Sequence, residues 1–198
     1  MLIVVATGNR GKLTELQSLL GPLGVEIKSM KDFPDLPEVV EDGSTFAENA
    51  AKKAVEVSRA TGEIALADDS GLEVDHLGGA PGVYSARFAG EHKDDRANNE
   101  KLLALLEGVP PEKRTARFKC VVALAVPGDR IYTAEGACEG VIGTAPRGEE
   151  GFGYDPLFII PELGKTFAQL DLDTKNSISH RGKAFARARK IISGLTAE

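Results

Sequence analysis

Residues 2–6, Leu-Ile-Val-Val-Ala, form an unbroken apolar run, and that continuity most restricts how the chain can fold. A strand with one wet face alternates apolar and polar residues, whereas a run with no polar member belongs to a strand covered on both faces. The run stops at Thr7-Gly8-Asn9-Arg10-Gly11, after which Leu13, Leu16 and Leu20 recur at helical spacing. Gly21 and Pro22 end that helix, and Leu23, Val25 and Ile27 then alternate like a half-buried strand. The chain therefore opens with a strand, loop, helix, strand unit.

Residues 29–44 contain Pro34, Pro37 and five acidic residues and read as an irregular connection. Thr45 followed by Glu48 is a capping box, which predicts a helix whose core face is Phe46, Ala50, Ala54 and Val57 and whose end is Gly62. A short strand over 64–67 then delivers Asp68 and Asp69, and the glycine-rich stretch to Gly90 is expected to form neither helix nor packed sheet. Another helix is predicted from about Asp95 to Leu106, and a final one from near Arg181 through Phe185, Ala188, Ile191 and Ile192. Between them, 115–126 and 131–142 are the longest strand candidates, joined through Pro127-Gly128-Asp129 as an antiparallel hairpin. Helices flanking a mixed sheet make the class α/β, as a single domain over 1–198 with the hairpin region forming a second lobe. A cleft between the lobes is the expected ligand site.

At 198 residues with 42% hydrophobic content, the chain can bury a sizeable core. Its formal charge of −6 argues against binding nucleic-acid polymers, which rests on many Lys and Arg neutralising phosphates, although a small anion could still bind locally. The apolar opening is far too short for a signal peptide or a membrane span, so no membrane partner and a cytoplasmic location are expected. Cys120 and Cys138 lack zinc-ligand spacing and are expected to be reduced and buried.

Four segments can carry chemistry. Asp68-Asp69-Ser70-Gly71 ends a strand in carboxylates, which suits a magnesium ion, though a turn whose Asp and Ser satisfy their own backbone is the simpler reading taken alone. Thr7-Gly8-Asn9-Arg10-Gly11-Lys12 joins strand to helix and can cradle an anion at the helix N-terminus, or be an ordinary connection; it lacks the spacing of a P-loop. Gly151-Phe152-Gly153-Tyr154-Asp155-Pro156 sets two aromatic rings among glycines, able to stack on a flat base or to enter the core. Residues 175–190 hold six Lys and Arg and no acid, a local reversal of charge in an acidic protein. In the acidic loop, Glu41 is the chosen second carboxylate for a hard cation beside Asp69.

Taken in order, ATGNRGK, TFAENAAKKA, ADDSGLEVDHLGGAPGVYSARFAG, GFGYDP and SHRGKAF resemble the inosine triphosphate pyrophosphatase family and span nearly the whole chain. The resemblance implies an elongated two-lobed mixed-sheet fold, a homodimer, and Mg2+-dependent hydrolysis of ITP, dITP and XTP between the α and β phosphates. By the same resemblance, Asp69 is the metal-binding general base and Ser70 a substrate contact, with Glu41, chosen from the acidic loop, as the metal partner of Asp69. Thr7, Gly8, Asn9, Arg10, Gly11, Lys12 and Lys53 would meet the triphosphate. Phe152, Gly153, Tyr154 and Asp155 would meet the nucleotide, with Lys175, His180 and Arg181 completing the pocket and Arg181 aimed at the base carbonyl. One departure is Glu150, where members often carry glycine. Two rival readings are a magnesium-nucleotide sensor that does not hydrolyse its ligand and a pyrophosphatase for modified pyrimidine triphosphates. An aspartyl-phosphate enzyme is disfavoured, because Ser70 stands where a second Asp is required.

Overall fold

A computed structural model of the chain describes residues 1–21, 24–33, 36, 39–91, 93–128 and 130–196. The expected helix stop at Pro22, the strand start at Leu23, Pro34 and Pro37 of the acidic connection, and Asp129 of the hairpin turn lie outside these residues. Strand β1 (Leu2–Val5) leads to helix α1 (Arg10–Leu20) and strand β2 (Glu26–Ser29). β1 runs parallel to β2 on one side, with Ile3 opposite Ile27, and parallel to β3 (Ile64–Val74) on the other, with Val4 opposite Ala65. A strand flanked on both sides and buried over Ile3, Val4 and Val5 has no position for a polar side chain, which accounts for the unbroken run.

Helix α2 (Phe46–Thr61) is bounded as its sequence predicts. Thr45 accepts from the Glu48 N–H, Glu48 accepts in return from the Thr45 N–H, and Gly62 closes the helix at φ 72°. Strand β3 differs from expectation. It does not end at Ala67 but continues through Asp68, Asp69, Ser70 and Gly71 to Val74, so the run expected to be a turn is strand interior. The carboxylates are tolerated because cations reach them from α1, α2 and the C-terminal helix. Beyond them Leu72 and Val74 are fully buried, and this apolar purchase carries the strand on. The rest of the glycine-rich stretch is made of short 3₁₀ turns at Asp75–Leu77 and Gly82–Arg87.

Helix α3 (Asp95–Leu105), strands β4 (Thr115–Val126), β5 (Arg130–Ile142), β6 (Phe158–Ile160) and β7 (Lys165–Thr166), and helices α4 (Leu172–Ile178) and α5 (His180–Thr196) complete the chain. The seven strands follow the order β2-β1-β3-β4-β5-β6-β7, and β6 is antiparallel to both β5 and β7, giving a mixed sheet flanked by helices. The basic run of 175–190 is split where Ser179 adopts extended backbone between α4 and α5, so Lys175 and Arg181 lie on different helices.

The chain divides into two compact units. Unit 1 comprises residues 1–69, 120–136 and 181–198, and its core joins Ile3, Leu16, Leu66, Val122, Leu124, Phe185 and Ile192. Unit 2 comprises 70–119 and 137–180, with a core of Leu72, Leu102, Phe118, Tyr154, Leu157, Phe158 and Phe167. Both cysteines are buried and neither is in a disulfide, as expected. Among the described residues, no helix is long and apolar enough to cross a membrane.

Candidate active site

In unit 1 the first turn of α1, the acidic loop, α2 and β3 converge on a cluster of charges. Asn9 caps α1 by accepting from the Lys12 N–H, so Arg10, Gly11 and Lys12 form the helix's first turn while Thr7 and Gly8 lead into it. Gly8, Asn9 and Arg10 are exposed, leaving the positive end of α1 open to solvent. Lys12 reaches back to Asp68, Nζ to Oδ2 3.0 Å. Lys53, from the middle of α2, donates to the Asp68 carbonyl at 2.8 Å and pairs with Glu41 at 2.7 Å. Burial disfavours the Lys53 charge, but Glu41, Asp69 and Asp68 outweigh it and hold the ammonium above its ordinary pKa.

The two carboxylates of β3 have unequal environments. Asp68 is 1% exposed; burial pushes it up, but Lys12, Arg181 and Lys53 together hold it well below the usual carboxylate range. Asp68 is therefore a permanent anion with a structural task. Asp69 lies next along the strand, and burial raises its pKa further than Lys53 and Lys12 lower it, while the negative charge of Glu41 adds to the rise. A carboxylate made more basic by its surroundings, yet close to cations, has the character of a general base.

Asn49 was not foreseen as part of the site. Its amide donates to Asp69 Oδ2 at 3.1 Å, and its carbonyl accepts from the Gly43 N–H at 2.8 Å. One side chain thus orients the Asp69 carboxylate and ties the acidic loop carrying Glu41 to α2. A signal was present, because Asn49 precedes Lys53 by four residues and so shares its helix face. Glu15, also unforeseen, pairs with Arg181 within the buried interior of unit 1. Arg181 thus enters as the counter-ion of Glu15 and Asp68, its Nε lying 3.4 Å from Asp68. Turning it toward a base would withdraw charge from two buried carboxylates.

Unit 2 gathers a second set. Lys175 Nζ meets Asp155 Oδ2 at 2.6 Å, and the same oxygen accepts from the Phe152 N–H at 2.9 Å. The ammonium lies 5.0 Å from the centroid of the Phe152 ring, a cation–π contact. His180 stacks on Phe118 with centroids 4.7 Å apart and on Phe167 at 6.3 Å. The two aromatics of the glycine-rich turn separate in role: Tyr154 is buried and donates to the Ser85 carbonyl at 2.7 Å, whereas Phe152 is only half-buried. Ser70 is also half-buried, in β3.

Gly151 is required by this geometry. Its φ is +78°, and a Cβ there would stand 2.1 Å from Asp155 Oδ2. Gly151→Ala is expected to displace Asp155 from Lys175 and to strain the backbone by about 1–3 kcal/mol, lowering Tm by roughly 3–10 °C. Thermal unfolding monitored by circular dichroism checks this.

The unit 1 cluster offers cations and carboxylates of a kind that suits phosphates and a metal, and the unit 2 cluster offers an aromatic face of a kind that suits a flat ring. The Ham1 family pattern matches residues 3–191. The chain is 63% identical over 195 residues to a dITP/XTP pyrophosphatase of Desulforamulus reducens, covering 98% of this chain and 97% of the relative. It is 53% identical over 193 residues to a dITP/XTP pyrophosphatase of Shouchella clausii, covering 98% and 97%. A solved HAM1 protein from Coxiella burnetii superposes with a TM-score of 0.89 at 42% identity, covering 98% of this chain and 99% of that one. With sequence, fold and the order of its motifs all in agreement, this chain belongs to the Ham1 family.

Proposed function

We propose that this chain hydrolyses deaminated purine nucleoside triphosphates, dITP, XTP and ITP, to the monophosphate and pyrophosphate, and so cleanses the nucleotide pool. The observation that carries the reading is the environment of Asp69: a buried carboxylate with a raised pKa, oriented by Asn49 and neighboured by Lys53 and Lys12. Asp69 would take the proton from a water attacking phosphorus, and no covalent intermediate is needed. Lys12, Lys53 and the exposed start of α1 would hold phosphate oxygens.

The donor set fits Mg2+. The negative charge of Glu41 adds to that of Asp69, and magnesium takes one or two carboxylates when waters and phosphate oxygens complete its shell. Bound there, the ion would neutralise charge on the phosphates and lower the pKa of the attacking water.

In unit 2, Phe152 would stack on the base and Lys175 would hold the Asp155 turn beneath it. Donors from His180 and the loop backbone would favour the C6 oxygen of hypoxanthine or xanthine over the amino group of adenine. Homodimer assembly, which rests on the family resemblance, and a cytoplasmic location, which rests on the short apolar opening, belong to the same proposal.

Pyrophosphate release measured across dITP, XTP, ITP, dGTP, ATP and UTP with Mg2+ tests the reading. The expected result is kcat/KM for the first three at least ~10²-fold above ATP, since a donor left facing the wrong group discriminates strongly. No preference over ATP overturns it, and a preference for UTP favours a pyrimidine enzyme.

A further inference from the structure

The turn that carries Phe152 is closed locally by the Phe152 N–H on Asp155 Oδ2 at 2.9 Å and by the Asp155 N–H on the Phe152 carbonyl at 3.2 Å, and these bonds leave the Gly153 peptide groups to be held from outside the turn. Phe152 stands between two glycines in the left-handed region, Gly151 at φ +78° and Gly153 at φ +61°. Glycine populates either hand at similar cost, so the conformational preferences of Gly151 and Gly153 do not by themselves fix the peptide planes around Phe152. Yet the Gly153 peptide groups are gripped on both sides by helix α3. The Gly153 N–H donates to Asp95 Oδ2 at 2.8 Å, and Asn99 Nδ2 donates to the Gly153 carbonyl at 2.8 Å. Asp95 and Asn99 are four residues apart and so share one helix face.

Two further observations mark this contact as more than incidental packing. The Asn99 amide also donates to the Asp95 carbonyl at 2.8 Å, so both partners of its nitrogen are acceptors and its orientation is determined. Its oxygen, Asn99 Oδ1, is buried with no hydrogen-bond partner among the described residues. A buried acceptor left in that condition is unfavourable, and what the residue contributes here lies with its nitrogen. α3 is also a firm support: Arg114 donates to the Leu106 carbonyl at its C-terminal end and to Ile142 at the end of β5. The neighbouring Asn98 accepts from the Ala89 N–H and donates to the Ala86 carbonyl, fixing the same helix to the Gly82–Arg87 turn and to Ala89 beyond it.

We propose that Asp95 and Asn99 are positioning residues for nucleotide binding, which hold Gly153 by both of its peptide groups and thereby set the attitude of the Phe152 ring. Neither touches the base. The proposal rests on the reading that Phe152 stacks on the base, and the test separates the two. Steady-state kinetics on dITP are compared for Asp95→Ala, Asp95→Asn, Asn99→Ala and Phe152→Ala, with thermal unfolding of each.

A hydrogen bond to a charged or half-buried group is worth enough that Asn99→Ala and Asp95→Ala should each raise KM up to about 10-fold, with a much smaller fall in kcat. Asp95→Asn keeps an acceptor oxygen toward the Gly153 N–H and should restore KM to within about twofold, a rescue that a charge effect on the helix start would not show. If Phe152→Ala leaves KM unchanged, the stacking reading fails. If Phe152→Ala raises KM but Asn99→Ala, with its Tm retained, does not, the positioning proposal fails while the stacking reading stands. Should Asp95→Ala not fold, Asp95→Asn and Asn99→Ala decide: equal KM rises in both, or none in either, overturn the role.

Discussion

Replacing Asp69 with asparagine is expected to lower pyrophosphate release from dITP by about 10³-fold while leaving the protein folded, since general-base catalysis typically contributes 10²–10⁴-fold. The substitution is nearly isosteric, and the amide oxygen can still accept from Asn49. What disappears is the proton acceptor and the charge beside Glu41. The pH profile carries the same information. Asp69 works as a base only when ionised, and burial has raised its pKa above the ordinary value of 3.8, so activity should fall as pH drops through that raised value. This acid limb is expected at higher pH than an exposed aspartate would give, and it should be absent from the residual activity of Asp69→Asn.

The stability consequence has the opposite sign to the catalytic one. A carboxyl with a raised folded-state pKa binds its proton more tightly in the folded chain than in the unfolded one. Its contribution to stability is therefore greatest at low pH and is lost as pH rises through the raised value. At neutral pH the ionised Asp69 opposes folding, so Asp69→Asn should keep or raise Tm. Full activity in the variant would remove Asp69 from the base role, and a large fall in Tm would mean that its charge supports the fold.

Which features were legible depended on how far apart in the chain their causes lie. Helix α2 was read correctly because Thr45, Glu48 and Gly62 act on backbone groups within a few residues of themselves. β1 and α1 were equally plain, since burial on both faces and helical leucine spacing are local patterns. β3 was cut short because Asp-Asp-Ser-Gly has turn chemistry locally. What keeps it in the sheet is remote: Lys53 fifteen residues away and Arg181 one hundred and thirteen residues away. The same remoteness hid Glu15, whose partner sits at the other end of the chain. Helix α4 was missed despite a local cap, Asp171 accepting from Thr174, because the continuous positive charge of 175–190 read as one segment. The clamp on Gly153 was illegible for a different reason. Backbone groups carry no signature in the sequence, so nothing marks Asp95 and Asn99 as their partners.

Arg181→Ala should cost the protein more stability than any other single change in the site. Its guanidinium is buried, and it bridges Glu15 on α1 and Asp68 on β3 from the start of α5. Removing it leaves Lys12 as the nearest cation for Asp68 and strips Glu15 of its partner's charge inside unit 1. Removing one member of a buried pair typically costs about 3–5 kcal/mol, which for a chain of this size corresponds to a Tm lower by roughly 6–20 °C. Arg181→Lys should recover only part of this, because one ammonium cannot serve two carboxylates in the directions a planar guanidinium does. Lowering the pH supplies an internal control. Asp68 has a depressed folded-state pKa, so the stability it contributes is complete above its ordinary value of 3.8 and is lost as pH falls below that toward the folded value. The variant has already lost the part of that contribution that Arg181 supplies, while Lys12 and Lys53 keep theirs. The gap in Tm between wild type and Arg181→Ala, measured by calorimetry from pH 7 to pH 3, should therefore be widest at neutral pH and narrow below about pH 4. A Tm within 2 °C of wild type at neutral pH would show that Arg181 does not hold these charges together, and would return it to a role in binding the base.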